Sequence, residues 1–214
     1  MWEIFDRFYA DADRARFEAD LNEKEHVFLL HTGDLLCGFS TVCVDRVRVQ
    51  GRSVISIFSG DTVIDPDYHG QTALQWAFFK YIVATKLRHP HRMVVWFLIS
   101  KGYKTYLLLS RNFVTFFPDR RRATPSWAKE LIQTLAQRRY GGALDPDRLV
   151  LRFDSEHEHL REDVAPAEGE PDPDIRFFVR CNPGHARGDE LCCIGVVNSR
   201  LLLAYPLKLL RRRA

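Results

Sequence analysis

The sequence predicts an α/β fold with a mixed sheet, and three observations carry that prediction. Three consecutive stretches between His26 and Ile64 are strand-like and joined by tight turns, which describes an antiparallel meander. Met93 to Ile99 is almost wholly apolar (Val94, Val95, Trp96, Phe97, Leu98), as expected of a central strand covered on both faces. Between and around these lie segments with helical spacing of apolar residues.

The elements follow in order. From Phe5 to Leu21, Phe5, Phe8, Ala12, Ala15 and Ala19 recur at helical spacing, giving an amphipathic helix or a helix pair. His26–His31 is a strand, Gly33-Asp34 a tight turn, Leu35–Val49 a long second strand, and Gln50-Gly51 turns into a third from Ser53 to about Ile64. Asp65-Pro66-Asp67 ends the meander, because proline cannot donate to a ladder. A helix from Thr72 to about Leu87 carries a broad apolar face (Leu74, Ala77, Phe78, Tyr81, Ile82), and His89-Pro90 closes it. The central strand follows, then a helix from about Tyr103 to Ser110. Strand, helix and strand form a crossover that should be right-handed. Further on, Thr124-Pro125-Ser126 opens a helix to about Arg139, with proline suited to its first turn. Leu149–Phe153 is a short strand, 155–174 an acidic, proline-containing exposed linker, Asp174–Cys181 helical and Leu191–Val197 a last strand. Residues 1–120 are expected to form the core, and 121–214 a C-terminal extension packed on the same domain.

Composition narrows the function. The chain has 214 residues, 46% of them hydrophobic and 28% charged, which suits one sizeable core and excludes wholesale disorder. A net charge of +3 is too weak to argue for nucleic acid. No apolar run approaches the ~20 residues of a membrane span. The opening Met1-Trp2-Glu3-Ile4-Phe5-Asp6 lacks a basic start followed by an apolar stretch, so the expected location is cytoplasmic. Five cysteines without a CxxC pair fit buried thiols in a reducing compartment.

Val63-Ile64-Asp65-Pro66-Asp67-Tyr68-His69-Gly70-Gln71 resembles the acyl-CoA signature of the GNAT (GCN5-related N-acetyltransferase) superfamily, in a degenerate bacterial branch. In that signature a strand end leads into a glycine-rich turn at a helix start, whose N–H groups receive a pyrophosphate. The signature's Arg/Gln position is His69 here and Gly70 is kept, but its two small positions are Thr72 and Leu74, whose β-carbons crowd the phosphate. Either CoA binds with altered geometry, or the donor is an acyl carrier protein, whose pantetheine arm carries a single phosphodiester. The resemblance covers roughly 10–117. It implies a central mixed sheet flanked by helices, with splayed strands that part after Asp61, and an acyl donor bound at Thr62, Val63, Ile64, His69, Gly70, Gln71, Thr72 and Ala73. It implies direct attack of an amine on the thioester, with no covalent intermediate and no metal.

Trp96 through Phe113 resembles the superfamily's strand-then-helix unit ending in Y-x-x-x-G-F, with Asn112 as a left-handed cap in place of glycine. The family's acid tyrosine falls at Leu108, so Tyr106 and Tyr103 are the candidate phenols to protonate the leaving thiolate. The third strand offers no glutamate, and Asp61, with Ser59 and Ser56 nearby, is the candidate base. The acceptor is expected to be a small-molecule or peptide amine, and the many aromatics suggest a medium or long acyl chain. A homodimer is left open. The alternative reading is a non-catalytic relative that binds a ligand or partner through the same groove. Of the remaining signals, His157 and His159 read as a solvated tract, Asn182-Pro183-Gly184-His185 as a turn, and Arg187-Gly188-Asp189 is given no role. Arg120-Arg121-Arg122 and Arg211-Arg212-Arg213 read as surface or as a landing site for an acidic carrier protein, and Leu201-Leu202-Leu203 as part of a packed tail.

Overall fold

A computed structural model describes residues 1–10, 12–68, 73–152, 159–160, 172–203 and 205. The opening segment is a pair of helices, α1 (Trp2–Phe8) and α2 (Arg14–Asn22), separated by the short strand β1 (Tyr9–Ala10). Asp13 starts α2 by accepting the Arg16 N–H on its side chain. Phe5 and Phe17 pack at 4.6 Å, and both join Phe39 and Val63 in a small core of their own.

The meander follows as β2 (His26–Thr32), β3 (Leu35–Val49) and β4 (Arg52–Ile64), all antiparallel. The turn between β3 and β4 puts Gln50 (φ 47°) and Gly51 (φ 76°) in the left-handed region, the geometry that lets a two-residue hairpin follow the strand twist. A short 3-10 turn (Pro66–Tyr68) leads toward α3 (Ala73–Arg88) and then β5 (Met93–Ser100), which runs parallel to β4.

The second half comprises α4 (Tyr103–Asn112), β6 (Phe116–Phe117), α5 (Ser126–Tyr140), β7 (Leu144–Asp145), β8 (Val150–Leu151), β9 (His159–Leu160), α6 (Pro173–Cys181) and β10 (Glu190–Val196). The main sheet has the order β2-β3-β4-β5-β10-β8-β7, with β6 also pairing β10, while β9 pairs β1. The expected mixed sheet flanked by helices is therefore present, with β4 and β5 as its parallel pair. β10, the last strand among the described residues, lies beside β5 rather than at an edge. Leu191↔Ser100 through Val196↔Val95 set its register.

Helices cover both faces. Ile55, Ile57, Leu98, Tyr106, Leu109 and Phe178 form the core under α3, α4 and α6. Phe58, Val95, Phe97, Leu131, Ile132 and Leu135 form the core under α5. Val94, Val95 and Phe97 are wholly buried, as the continuous apolar run requires.

Several local expectations need correction. Pro125 is the N-cap of α5 rather than a first-turn residue, since its ψ of 157° is extended. Asn112 is the last residue of α4 and not a left-handed cap; its side-chain amide donates to the Leu108 carbonyl, and Phe113 ends the helix in an extended conformation. Leu149 adopts φ 58°, so strand geometry begins only at Val150. Most of the expected linker lies outside the described residues, and its end is the start of α6, where Asp172 accepts the Asp174 N–H and Pro173 occupies the first turn. Arg211, Arg212 and Arg213 also lie outside the described residues, as does His157. Among the described residues no helix is long and apolar enough to cross a membrane. All five cysteines are free thiols.

Candidate functional site

β4 and β5 are paired from Val54↔Met93 to Phe58↔Phe97 and then separate. Beyond that point β4 stays on β3, through Ser40↔Thr62, Phe39↔Val63 and Gly38↔Ile64. β5 stays on β10, through Leu98↔Cys193, Ile99↔Cys192 and Ser100↔Leu191. Each strand thus keeps one ladder and turns its other edge toward a gap.

The cause is a β-bulge. Ser40 faces Thr62 and Val42 faces Ser59, so Gly60 and Asp61 together oppose Thr41 alone. An extra residue on one strand bends it and sharpens its twist, which swings β4 away from β5. Glycine suits the bulge, because a β-carbon on Gly60 would stand 2.5 Å from Thr41 Oγ1 and force that side chain to shift. The sequence places the parting after Asp61; it occurs three residues earlier, after Phe58, with Asp61 already inside the gap. At the crotch the Trp96 indole N–H donates to Ser59 Oγ at 3.0 Å. Ser56 points to the opposite face, buried between Val54 and Phe58.

Asp61 is half-buried, and its charge reaches two groups brought in from the second half of the chain. One is Glu190 at the start of β10. The register Leu191↔Ser100 sets Glu190 across from Lys101, and their side chains pair at 3.3 Å, 12% and 16% exposed respectively. Burial pushes the Glu190 carboxyl above its ordinary range; Lys101 opposes this, and the Asp61 charge adds to it. The other is Tyr140 at the end of α5. Burial raises its phenol, Glu190 and Asp61 raise it further, and Arg139 works against them. Asp61, Lys101, Glu190 and Tyr140 therefore form one electrostatic cluster where the strands have parted. Only Asp61 is readable from the sequence, as a polar residue in an apolar strand. The other three are ordinary residues in isolation, and only the sheet order joins them.

Of the expected donor-binding residues, Thr62, Val63 and Ile64 lie on β4 past the parting point. Thr62 Oγ1 shares a hydrogen bond with Ser40 Oγ at 2.8 Å, and the Val63 side chain is buried in the α1–α2 core. His69, Gly70, Gln71 and Thr72 lie outside the described residues, and Ala73 opens α3. Leu74 is a buried residue of the α3 first turn.

The two tyrosines are not equivalent. Tyr106 is completely enclosed, its hydroxyl donates to the Pro118 carbonyl at 3.0 Å, and burial pushes its phenol strongly upward. Phe116, Phe177 and Phe178 surround it. It is a core tyrosine in this structure, which corrects the expectation of an accessible acid at that position. Tyr103, in the first turn of α4, is half-buried. Leu108, where the resemblance places the acid tyrosine, is exposed. His185 is buried, its ring Nδ1 2.9 Å from the Asn182 carbonyl, within the expected turn. No group of metal-ligating side chains occurs among the described residues.

No protein-family model matches the chain, and no curated protein does. Solved structures show partial likeness, among them these two. One is a conserved protein from Enterococcus faecalis V583 described as a probable N-acyltransferase, with a TM-score of 0.36 and 14% identity over 45% of this chain and 24% of that one. The other is a variant of the AtaT toxin bound to the C-terminus of the antitoxin AtaR and acetyl-CoA, with a TM-score of 0.32 and 16% identity over 40% of this chain and 55% of that one. The match thus spans about a quarter and about half of the respective neighbours' lengths.

Proposed function

We propose that this chain is an N-acyltransferase of the GNAT type, moving an acyl group from a pantetheine thioester to an amine by direct attack. The observation that carries the reading is the parting of the parallel pair β4–β5 after Phe58 and Phe97, which leaves strand edges facing a gap. Such an edge offers backbone groups to an extended pantetheine arm, as a β-strand does to a peptide. In this reading the arm runs along Thr62, Val63 and Ile64 toward 69–72 and Ala73. Asp61, within the gap, takes the proton from the attacking ammonium, and the nitrogen then forms the amide bond as the C–S bond breaks. The departing thiolate takes a proton from Tyr103, the half-buried phenol at the start of α4, and the second proton shed by the acylated nitrogen returns through solvent to restore that phenol.

The decisive measurement is turnover with a panel of acyl-CoA esters, from acetyl to palmitoyl, against the same acyl groups on an acyl carrier protein. Asp61→Asn is expected to lower kcat about 10²–10⁴-fold with donor affinity retained. Tyr103→Phe should lower kcat as well, whereas Tyr106→Phe should not. If Trp96 on β5 and the Phe78 and Phe113 rings packed against it line the acyl path, the longer esters turn over faster. No turnover and no calorimetric binding of any thioester would overturn the proposal. The enclosed Tyr106 and the exposed Leu108 favour a second reading, a non-catalytic binder, which would show binding without turnover and indifference to Asp61→Asn.

A further inference from the structure

Away from the β4–β5 gap, a depression of about 360 Å³ lies between the β7–β8 hairpin and the turn that follows α6, lined by Arg148, Val150, Arg152, Gly184, Arg187 and Asp189 among others. Arg148 stands in the turn before β8, Val150 opens that strand and Arg152 follows it, so one short segment brings two guanidinium groups to the depression. The 3-10 turn His185–Arg187 brings the third from the opposite wall.

Three features mark this as built rather than incidental. Arg152 is held in place by Asp145 at 2.5 Å. Arg148 and Arg187 make no side-chain ion pair among the described residues, although both line a concave surface. Leu149, between Arg148 and Val150, is held at φ 58° with its side chain buried. A leucine is strained in the left-handed region. It persists because the Leu149 N–H donates to the Asp145 carbonyl and its own carbonyl accepts the Cys192 N–H. The Asp145 carboxylate also accepts the N–H groups of Asp147 and Arg148, so the base of Arg148 is tied down at both ends. Opposite, a β-carbon on Gly184 would collide with the Asp189 carboxylate, so that wall stays bare backbone.

We propose that this depression is a binding site for a small phosphate-bearing ligand, gripped by Arg148, Arg152 and Arg187. Guanidinium forks match the paired oxygens of a phosphate and give charge-assisted hydrogen bonds. The volume suits a phosphomonoester of a small molecule rather than a polymer. Asp189, as the lining carboxylate, limits affinity for the dianion and favours a ligand that also carries a donor group beside its phosphate. The site is independent of the acyltransferase reading.

The test is calorimetric titration of the full chain with inorganic phosphate, glycerol phosphate and phosphoethanolamine, at constant ionic strength set with chloride. Phosphoethanolamine, with a cation for Asp189, should bind several-fold more tightly than glycerol phosphate; tighter binding of inorganic phosphate would identify the free ion as the ligand. Arg148→Gln and Arg187→Gln should each weaken binding tenfold or more, and Asp189→Asn should tighten glycerol phosphate. Arg14→Gln, on exposed α2, should change nothing. Thermal midpoints without ligand confirm that the variants fold. Undetectable binding of all three probes overturns the proposal, as does affinity that survives the Arg148→Gln/Arg187→Gln double variant.

Discussion

A carboxyl group buried at a strand end, facing a second carboxylate, holds its proton more tightly than in water, and Glu190 is in that position. Its pKa is raised in the folded state, so the native protein binds more protons than the unfolded chain as pH climbs from about 4.5. Stability from this group is complete at lower pH and is lost as pH rises through the folded value. Melting temperatures at pH 5, 6, 7 and 8 should therefore fall more steeply for the native sequence than for Glu190→Gln. Asp119 has the opposite sign. Its side chain is wholly buried, which alone would raise its pKa, but the Arg121 side chain and N–H and the Arg122 side chain override burial and hold the carboxyl below its ordinary 3.8. Asp119→Asn is expected to cost about 2 kcal/mol at pH 7, measured by urea unfolding, and the difference should shrink as acid protonates the native carboxyl. Asp61 is legible in the sequence because a polar residue in an apolar strand asks for a reason. Glu190, Lys101 and Tyr140 are not, because what makes them unusual is each other. The choice between Tyr103 and Tyr106 is equally hidden, since it depends on Pro118 and α6 closing over one ring and not the other.

The elements are more legible in the sequence than the single sites. β3 spans Leu35–Val49 as its alternation and bounding turns indicate, and β4, α3, β5 and α4 differ from expectation by one or two residues at their ends. What alternation does not contain is the bulge, because the reason for it lies across the sheet in the contact of Gly60 with Thr41. That is why the parting point lies three residues before the expected one. Gly60→Ala tests the element directly. The added methyl must displace Thr41 or flatten the bulge, at a cost of about 1–3 kcal/mol by chemical denaturation. If the bulge is what opens the strands, donor affinity in the same variant should fall by more than the stability loss explains. Relief by the second substitution Thr41→Ala would trace the effect to that one contact.

Across the whole molecule, the division into a core at 1–120 and an extension at 121–214 meets a sheet that is continuous across it, since β10 runs along the full apolar edge of β5 and carries Glu190 to the gap. Residues 1–120 expressed alone would expose Val94–Leu98 along one edge. They are expected to give no cooperative thermal transition, whereas the full chain should show one. The sequence does identify Leu191–Val197 as a strand, but a strand's neighbour is a long-range property that local pattern does not carry. On a ribosome this arrangement imposes a timetable. β5 leaves the exit tunnel roughly ninety residues ahead of the strand that seals it, and loop closure over such a span is slow. Until it arrives, the freshly made half offers the open apolar edge of β5 to any passing chain. The cleft and its charged cluster are therefore assembled late, by the same event that buries the aggregation-prone edge.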